Sequence, residues 1–143
     1  MSAISRGLTG ASTVMVAPIA VANGTATCTA LDCSRGYGCT VEVTVGVTTG
    51  NFSVFKLQSS ATSGGTYADI TGATMTGPGA TDDGGIWAFH VDMRDRNIGP
   101  FIKLVMTEDN TGSGLVNVTG RVWNLDEGGA SATARGYTAE VFV

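Results

Sequence analysis

The chain is written in short runs that alternate apolar and polar side chains, the period-2 signature of half-buried β-strands. Cys39, Val41, Val43, Val45 and Val47 share one parity, with Thr40, Glu42, Thr44 and Gly46 on the other. Trp87, Phe89, Val91 and Met93 repeat the pattern against Ala88, His90 and Asp92, and Ile102, Leu104 and Met106 against Lys103 and Thr107. Val116, Val118 and Val122 alternate with Asn117, Thr119 and Arg121, and Tyr137, Ala139, Val141 and Val143 with Thr138 and Glu140. Residues 51–58 form another run, in which Phe52-Ser53-Val54-Phe55 is apolar at both parities and suits a strand covered on both sides. Thr13 to Val21, Tyr67 to Ile70 and Ala73 to Thr76 add shorter candidates.

Turn signals separate the runs: Thr49-Gly50-Asn51, Ser63-Gly64-Gly65, Gly77-Pro78-Gly79, Asp82-Asp83-Gly84-Gly85, Asn97-Ile98-Gly99-Pro100 and Asn110-Thr111-Gly112-Ser113-Gly114. Gly128 to Gly136 reads as a connection before a returning last strand. No window of helical length carries a 3.6-residue period. About 6–9 strands spaced by Gly-rich turns indicate an all-β sandwich, jelly roll or small barrel. The expectation adopted is an antiparallel β-sandwich, jelly-roll or immunoglobulin-like.

With 143 residues the chain suits one domain. We divide it into an N-terminal arm and first strand, Met1 to Ala22, and a single β-sandwich domain, Asn23 to Val143. The opening Met1 to Gly10 has too little apolar surface to order alone, so the arm is expected to pack on a neighbouring subunit. Val14 to Ala22 is apolar behind Arg6 and ends in small residues, but it is short and interrupted by Pro18, which argues against a cleaved leader. No uninterrupted apolar run is long enough to span a bilayer as a helix.

Charge narrows the function classes. Only 14% of residues are charged, against about 25% in ordinary soluble domains, and the net charge is −4. Two lysines in an acidic chain make a poor nucleic-acid binder, because phosphate contacts need clustered cations. Thr, Ser, Gly and Ala stand where charges would be, so the surface suits close contact with other chains.

Candidate chemistry is sparse. Cys28, Cys33 and Cys39 are odd in number and lack zinc-site spacing, so buried or free thiols are expected, with one local disulfide as the other reading. His90 is the only histidine and falls at a polar parity, which places it at a surface or interface. No nucleophile elbow accompanies it. The carboxylates Asp82-Asp83, Asp92/Asp95, Glu108-Asp109 and Asp126-Glu127 lie in turn-like segments, where capping of turns is their ordinary work. Glu108 to Gly112 offers calcium-friendly oxygens without the ligand spacing of an EF-hand. Asp92-Met93-Arg94-Asp95-Arg96 suits local or intersubunit ion pairs. No catalytic, cofactor-binding or metal-binding residue is assigned, and no cofactor is expected.

One resemblance covers about Ala30 to Asn124. Ala30-Leu31-Asp32-Cys33-Ser34-Arg35-Gly36-Tyr37, a valine strand, Phe55-Lys56-Leu57-Gln58-Ser59-Ser60, a Gly-rich turn and Tyr67-Ala68-Asp69-Ile70-Thr71-Gly72-Ala73 follow in order, and Arg94, Arg96, Pro100 and Leu104 stand in a later strand. This order is similar to that of small all-β virion proteins of tailed bacteriophages. Ser63-Gly64-Gly65 replaces the Asp-Gly of that pattern, and Tyr67 takes the place of its aromatic. The resemblance implies a capsid decoration (cement) protein on the outer surface of the head. Its partners would be the major capsid protein and itself, as a homotrimer or a dimer, with no nucleic acid and no membrane. Two other readings remain open: a head-to-tail connector or tail protein, and a carbohydrate-binding module with Trp123 as a stacking platform.

Overall fold

The computed structural model describes residues 12–26, 28–94, 97–123 and 139–143. Within them the chain is all-β. Its strands are β1 (Ser12–Thr25), β2 (Leu31–Asp32), β3 (Gly38–Thr48), β4 (Phe52–Ser60), β5 (Ala68–Thr74), β6 (Ile86–Asp92), β7 (Phe101–Trp123) and β8 (Ala139–Phe142). The expected connection Gly128 to Gly136, with Tyr137, Thr138, Asp95, Arg96, Asp126 and Glu127, lies outside the described residues.

Strand β7 is the spine. It runs 23 residues and pairs antiparallel with four others. Along one edge lie β3, opposite residues 114–123, and then β4, opposite residues 101–108. Along the other edge lie β1 and then β2. The sheet continues outward from β4 to β5 and from β3 through β6 to β8. All three long ribbons bend at one level. There β7 passes through Asn110 (φ 67°), β1 through Asn23 (φ 55°) and Gly24 (φ 138°), and the register shifts between Ala22 and Gly24 and between Val45 and Thr48. Bends of this kind let one set of strands serve two facing layers. The return of the sheet brings Thr29 N–H to the Met15 carbonyl, 2.9 Å, across the seam.

Two expectations change. The architecture is one mixed sheet nearly closed into a barrel-like shape, rather than two clearly separate antiparallel sheets. Among the described residues its one parallel pair is β6 with β8, from Trp87 opposite Ala139 to His90 opposite Phe142. Asn110 to Gly114 is also no reversal. It is the corner inside β7, and Thr49 to Asn51 is the matching corner between β3 and β4. Gly112 permits the close approach. A Cβ there would sit 2.6 Å from the Thr49 carbonyl oxygen.

The core follows the alternation closely. Cys39, Val41, Val43, Val45, Leu57, Phe89, Val91, Ile102, Leu104, Met106, Val116 and Val118 are buried. Phe55 sits at their centre, its ring centroid 5.6 Å from Phe89 and 6.4 Å, edge-on, from Trp87. Val47 breaks the pattern. The bulge after Val45 turns it outward and buries Thr48 in its place. A second shift between Phe52 and Val54 puts both Phe52 and Phe55 inside, which explains a run apolar at both parities.

Candidate functional site

Three features lie outside the apolar core: a buried carboxylate at the corner, a polar relay on the outer side of β3 and β6, and an outward strip of neutral side chains.

Glu108 continues the buried parity of Ile102, Leu104 and Met106 and is itself 1% exposed. Its Oε1 accepts from the N–H groups of Thr111 and Gly112 and its Oε2 from those of Asn23 and Asn110, all at 2.9 Å. Burial pushes the carboxyl up, but the four backbone donors outweigh it and hold the group below its ordinary value. These oxygens are committed to the corner of the sheet. Asp82 caps its turn as expected, accepting from Gly79 N–H (2.7 Å), whereas Asp83 reaches across to the end of β3 and accepts from Thr48 N–H (2.8 Å). Asp92 forms a two-point pair with the guanidinium of Arg94, which lowers its carboxyl, on the exposed side of the strand end.

His90 corrects its surface expectation. It is only 9% exposed, because β3 and β8 flank its strand and the rings of Phe142 (stacked, centroids 4.5 Å apart) and Trp123 (edge-on, 6.5 Å) pack against it. Its Nδ1 meets the Thr40 hydroxyl at 2.9 Å and its Nε2 meets the Glu140 carboxylate. Thr40 also accepts from the indole N–H of Trp123, 2.6 Å. The chain Trp123–Thr40–His90–Glu140 is continuous when the hydroxyl donates to Nδ1 and Nε2–H donates to Glu140. Hydroxyl, imidazole and carboxylate are the parts of a nucleophilic relay, but Thr40 is 5% exposed and its oxygen is already held by the indole. Among the described residues the arrangement ties β7, β3, β6 and β8 together. Trp123, a sugar-platform candidate in the sequence, is half-buried with its polar edge engaged in this chain, while Trp87 is core.

The outward strip spans β1, β7 and β3. Four of the large exposed hydrophobics, Val14, Ile19, Val47 and Leu115, belong to these strands, and Val47 is 67% exposed. Ala20 pairs with Leu115, Val14 with Thr119 and Thr44 with Asn117. Leu115 leans over Gly46, where a Cβ would come within 2.8 Å of it. No residue from Gly7 to Leu31 is charged, β7 is uncharged outward from Leu115 to Thr119, and β3 is uncharged from Val43 to Thr48, with Glu42, opposite Thr119, at the border of the strip. Behind Ile19 a groove of about 540 Å³ runs along β1, lined by Met15, Val21, Ala26 and Thr29 among others. The far edge of β1 has no strand partner among the described residues. Pro18, which lacks a donor, and two register shifts guard that edge, so the face rather than the edge offers contact. The part of the expected arm from Ser12 onward pairs with β7 of its own chain; residues 1–11 lie outside the described residues.

The alternation marks the strands that carry the strip but not the strip itself, since Val47 shares the parity of the buried valines Val41 to Val45. It also missed the Glu108 corner, although the parity of Glu108 with Met106 was a usable signal. No family model, no curated protein and no solved structure matches the chain.

Proposed function

We propose that the chain is a non-enzymatic virion structural protein. On this reading it is a capsid cement protein that binds the outer surface of a phage head and stabilises the lattice of the major capsid protein. The observation that carries this is the outward strip over β1, β7 and the end of β3, uncharged from Leu115 to Thr119 of β7 and from Thr44 to Val47 of β3, with Val14, Leu115 and Val47 turned outward and Glu42 at its border. Exposed apolar side chains rimmed by neutral polar ones are what a protein contact surface requires. The order of motifs from Leu31 to Leu104 supplies the phage context.

On this reading the two halves of the bent sheet act as the two layers of a sandwich-like module, of jelly-roll or immunoglobulin type. Copies assemble as homotrimers, with dimers as the close variant, and no cofactor takes part. Each copy needs only modest affinity, because placement on a repeating lattice raises the effective concentration of its neighbours. The test is the copy number of the chain in purified native particles, by quantitative mass spectrometry. Cement predicts a number comparable to the major capsid protein. A count of a dozen or fewer moves the chain to the connector or tail, and its absence from particles overturns the virion reading.

A further inference from the structure

Cys28, Cys33 and Cys39 are free thiols and all three are buried, so they present no nucleophile to solvent. Asn23 and Gly24, at the bend of β1, are placed differently. They form the only Asn-Gly step in the sequence, with Asn23 exposed and Gly24 half-buried. The register shift falls on this step: Ala22 pairs with Ser113 and Gly24 with Glu108, which leaves Asn23 without an opposing residue in β7. A Cβ on Gly24 would meet nothing within 4 Å. The Asn23 N–H donates to Glu108 Oε2 at 2.9 Å, but no hydrogen bond among the described residues holds its side-chain amide.

The other asparagines on these strands are protected. Asn51 Oδ1 accepts from Ala80 N–H (3.0 Å) and Asn117 Nδ2 donates to the Val16 carbonyl (2.9 Å), and bulky Phe52 and Val118 follow them. Asn110 is followed by β-branched Thr111, whose N–H is already held by Glu108 Oε1 (2.9 Å) and Asp109 Oδ1 (3.2 Å).

We propose that Asn23 is a site of spontaneous deamidation in the folded chain, and that its products loosen the corner around Glu108. The Gly24 nitrogen loses its proton to water or hydroxide and attacks Asn23 Cγ. A C–N bond forms, the Cγ–Nδ2 bond breaks, and Nδ2 takes up a proton and leaves as ammonia. Water then opens the cyclic imide at either carbonyl. Cleavage of the new bond at Cγ gives aspartate. Cleavage at the former main-chain carbonyl gives isoaspartate, whose main chain runs through Cβ and Cγ. Asparagine and water are consumed, acid and ammonia are produced, and nothing is oxidised or reduced. Glycine favours closure because no Cβ crowds the attacking nitrogen. The Gly24–Glu108 rung must fray for the ring to close, and it stands directly beside the register shift, where local opening is easiest.

The product acts on the corner. Asn23 supplies one of the four N–H groups that hold the Glu108 carboxylate. Either product adds a second carboxylate beside that one, and like charges disfavour each other's ionised form. Isoaspartate also lengthens the main chain by one atom between that N–H and Gly24. The new charge falls in a stretch, Gly7 to Leu31, that otherwise carries none.

The test incubates the purified full chain under native, reducing conditions at neutral and mildly alkaline pH and follows it by tryptic mapping. The peptide Gly7 to Arg35 has no amide side chain other than Asn23, so any amide-to-acid conversion in it belongs to Asn23. Enzymatic methylation of the same peptide reads isoaspartate. The expected result is first-order conversion of this peptide, faster at the higher pH, to aspartate and isoaspartate, with Asn51, Asn110 and Asn117 unchanged and a Tm that falls in step. Asn23→Gly, which accepts φ 55° and keeps the N–H to Glu108, should show neither conversion nor Tm drift. Conversion only in urea-unfolded chain, conversion in neither form, equal conversion at Asn51 or Asn110, or a constant Tm while Asn23 converts each overturns the proposal.

Discussion

Replacing Thr40 by Val removes one hydroxyl and keeps a β-branched side chain of nearly the same shape in a strand. The structure makes that hydroxyl the middle of a chain, accepting from Trp123 Nε1 at 2.6 Å and meeting His90 Nδ1 at 2.9 Å. Two polar groups lose their partner at once. A buried group left unsatisfied costs about 1–3 kcal/mol. The His90 side pays near the top of that range because the ring is enclosed, while half-buried Trp123 recovers part of its loss through water. The added methyl returns about 0.8 kcal/mol. The net expectation is a loss of about 2–3 kcal/mol, or a Tm fall of roughly 6–9 °C for a chain of this size. Urea unfolding followed by tryptophan fluorescence measures it, with an unchanged m-value showing that the denatured state is not the cause. Thr44→Val, four residues along the same face but exposed, should stay within about 0.5 kcal/mol of wild type. Equal effects at Thr40 and Thr44 would refute the relay as a structural tie.

The corner makes two further predictions. Glu108 has a folded carboxyl held below its ordinary value, so its contribution is complete above the unfolded value near 4.5 and is lost as pH falls through the lower folded one. The wild-type urea midpoint should drop across that acid range, and Glu108→Gln should be less stable at neutral pH with a flatter acid limb; parallel pH curves would contradict this. Gly112→Ala places a Cβ 2.6 Å and 2.7 Å from the Thr49 carbonyl oxygen and carbon, backbone that cannot step aside cheaply. It should cost about 1–3 kcal/mol in the same urea assay. Gly64→Ala, with no atom within 4 Å, should be neutral, and a neutral Gly112→Ala would show the corner to be loose.

Much of the fold was legible because alternation reports directly which side chains leave water. The buried valines of β3 and the Trp87–Val91 run needed no partner to be recognised. What alternation cannot report is a change of register. Val47 has the parity of Val45 and Val43, yet a bulge one residue earlier reverses it, and the bulge is set by the corner of β7 opposite. Asn110 to Gly114 carries the residues of a chain reversal, and it became a bend because β1 follows it round on one edge while β3 passes into β4 on the other. His90 looked exposed because its own strand pattern is polar there, and its burial comes from residues distant in sequence, Trp123 and Phe142. Glu108 shows the same limit. Its four donors come from two segments that meet only when the sheet folds over.

Val47→Asp tests the proposal that the outward strip over β1, β7 and the end of β3 binds a capsid lattice. Val47 is 67% exposed, so the substitution should leave stability within about 0.5 kcal/mol of wild type while placing a charge in a neutral contact. Particles lacking the chain would be mixed with wild-type or Val47→Asp protein, sedimented, and heated to the point of genome release. Wild-type chain should co-sediment and raise the release temperature, and folded Val47→Asp should do neither. Equal binding and equal protection by the two proteins would contradict it.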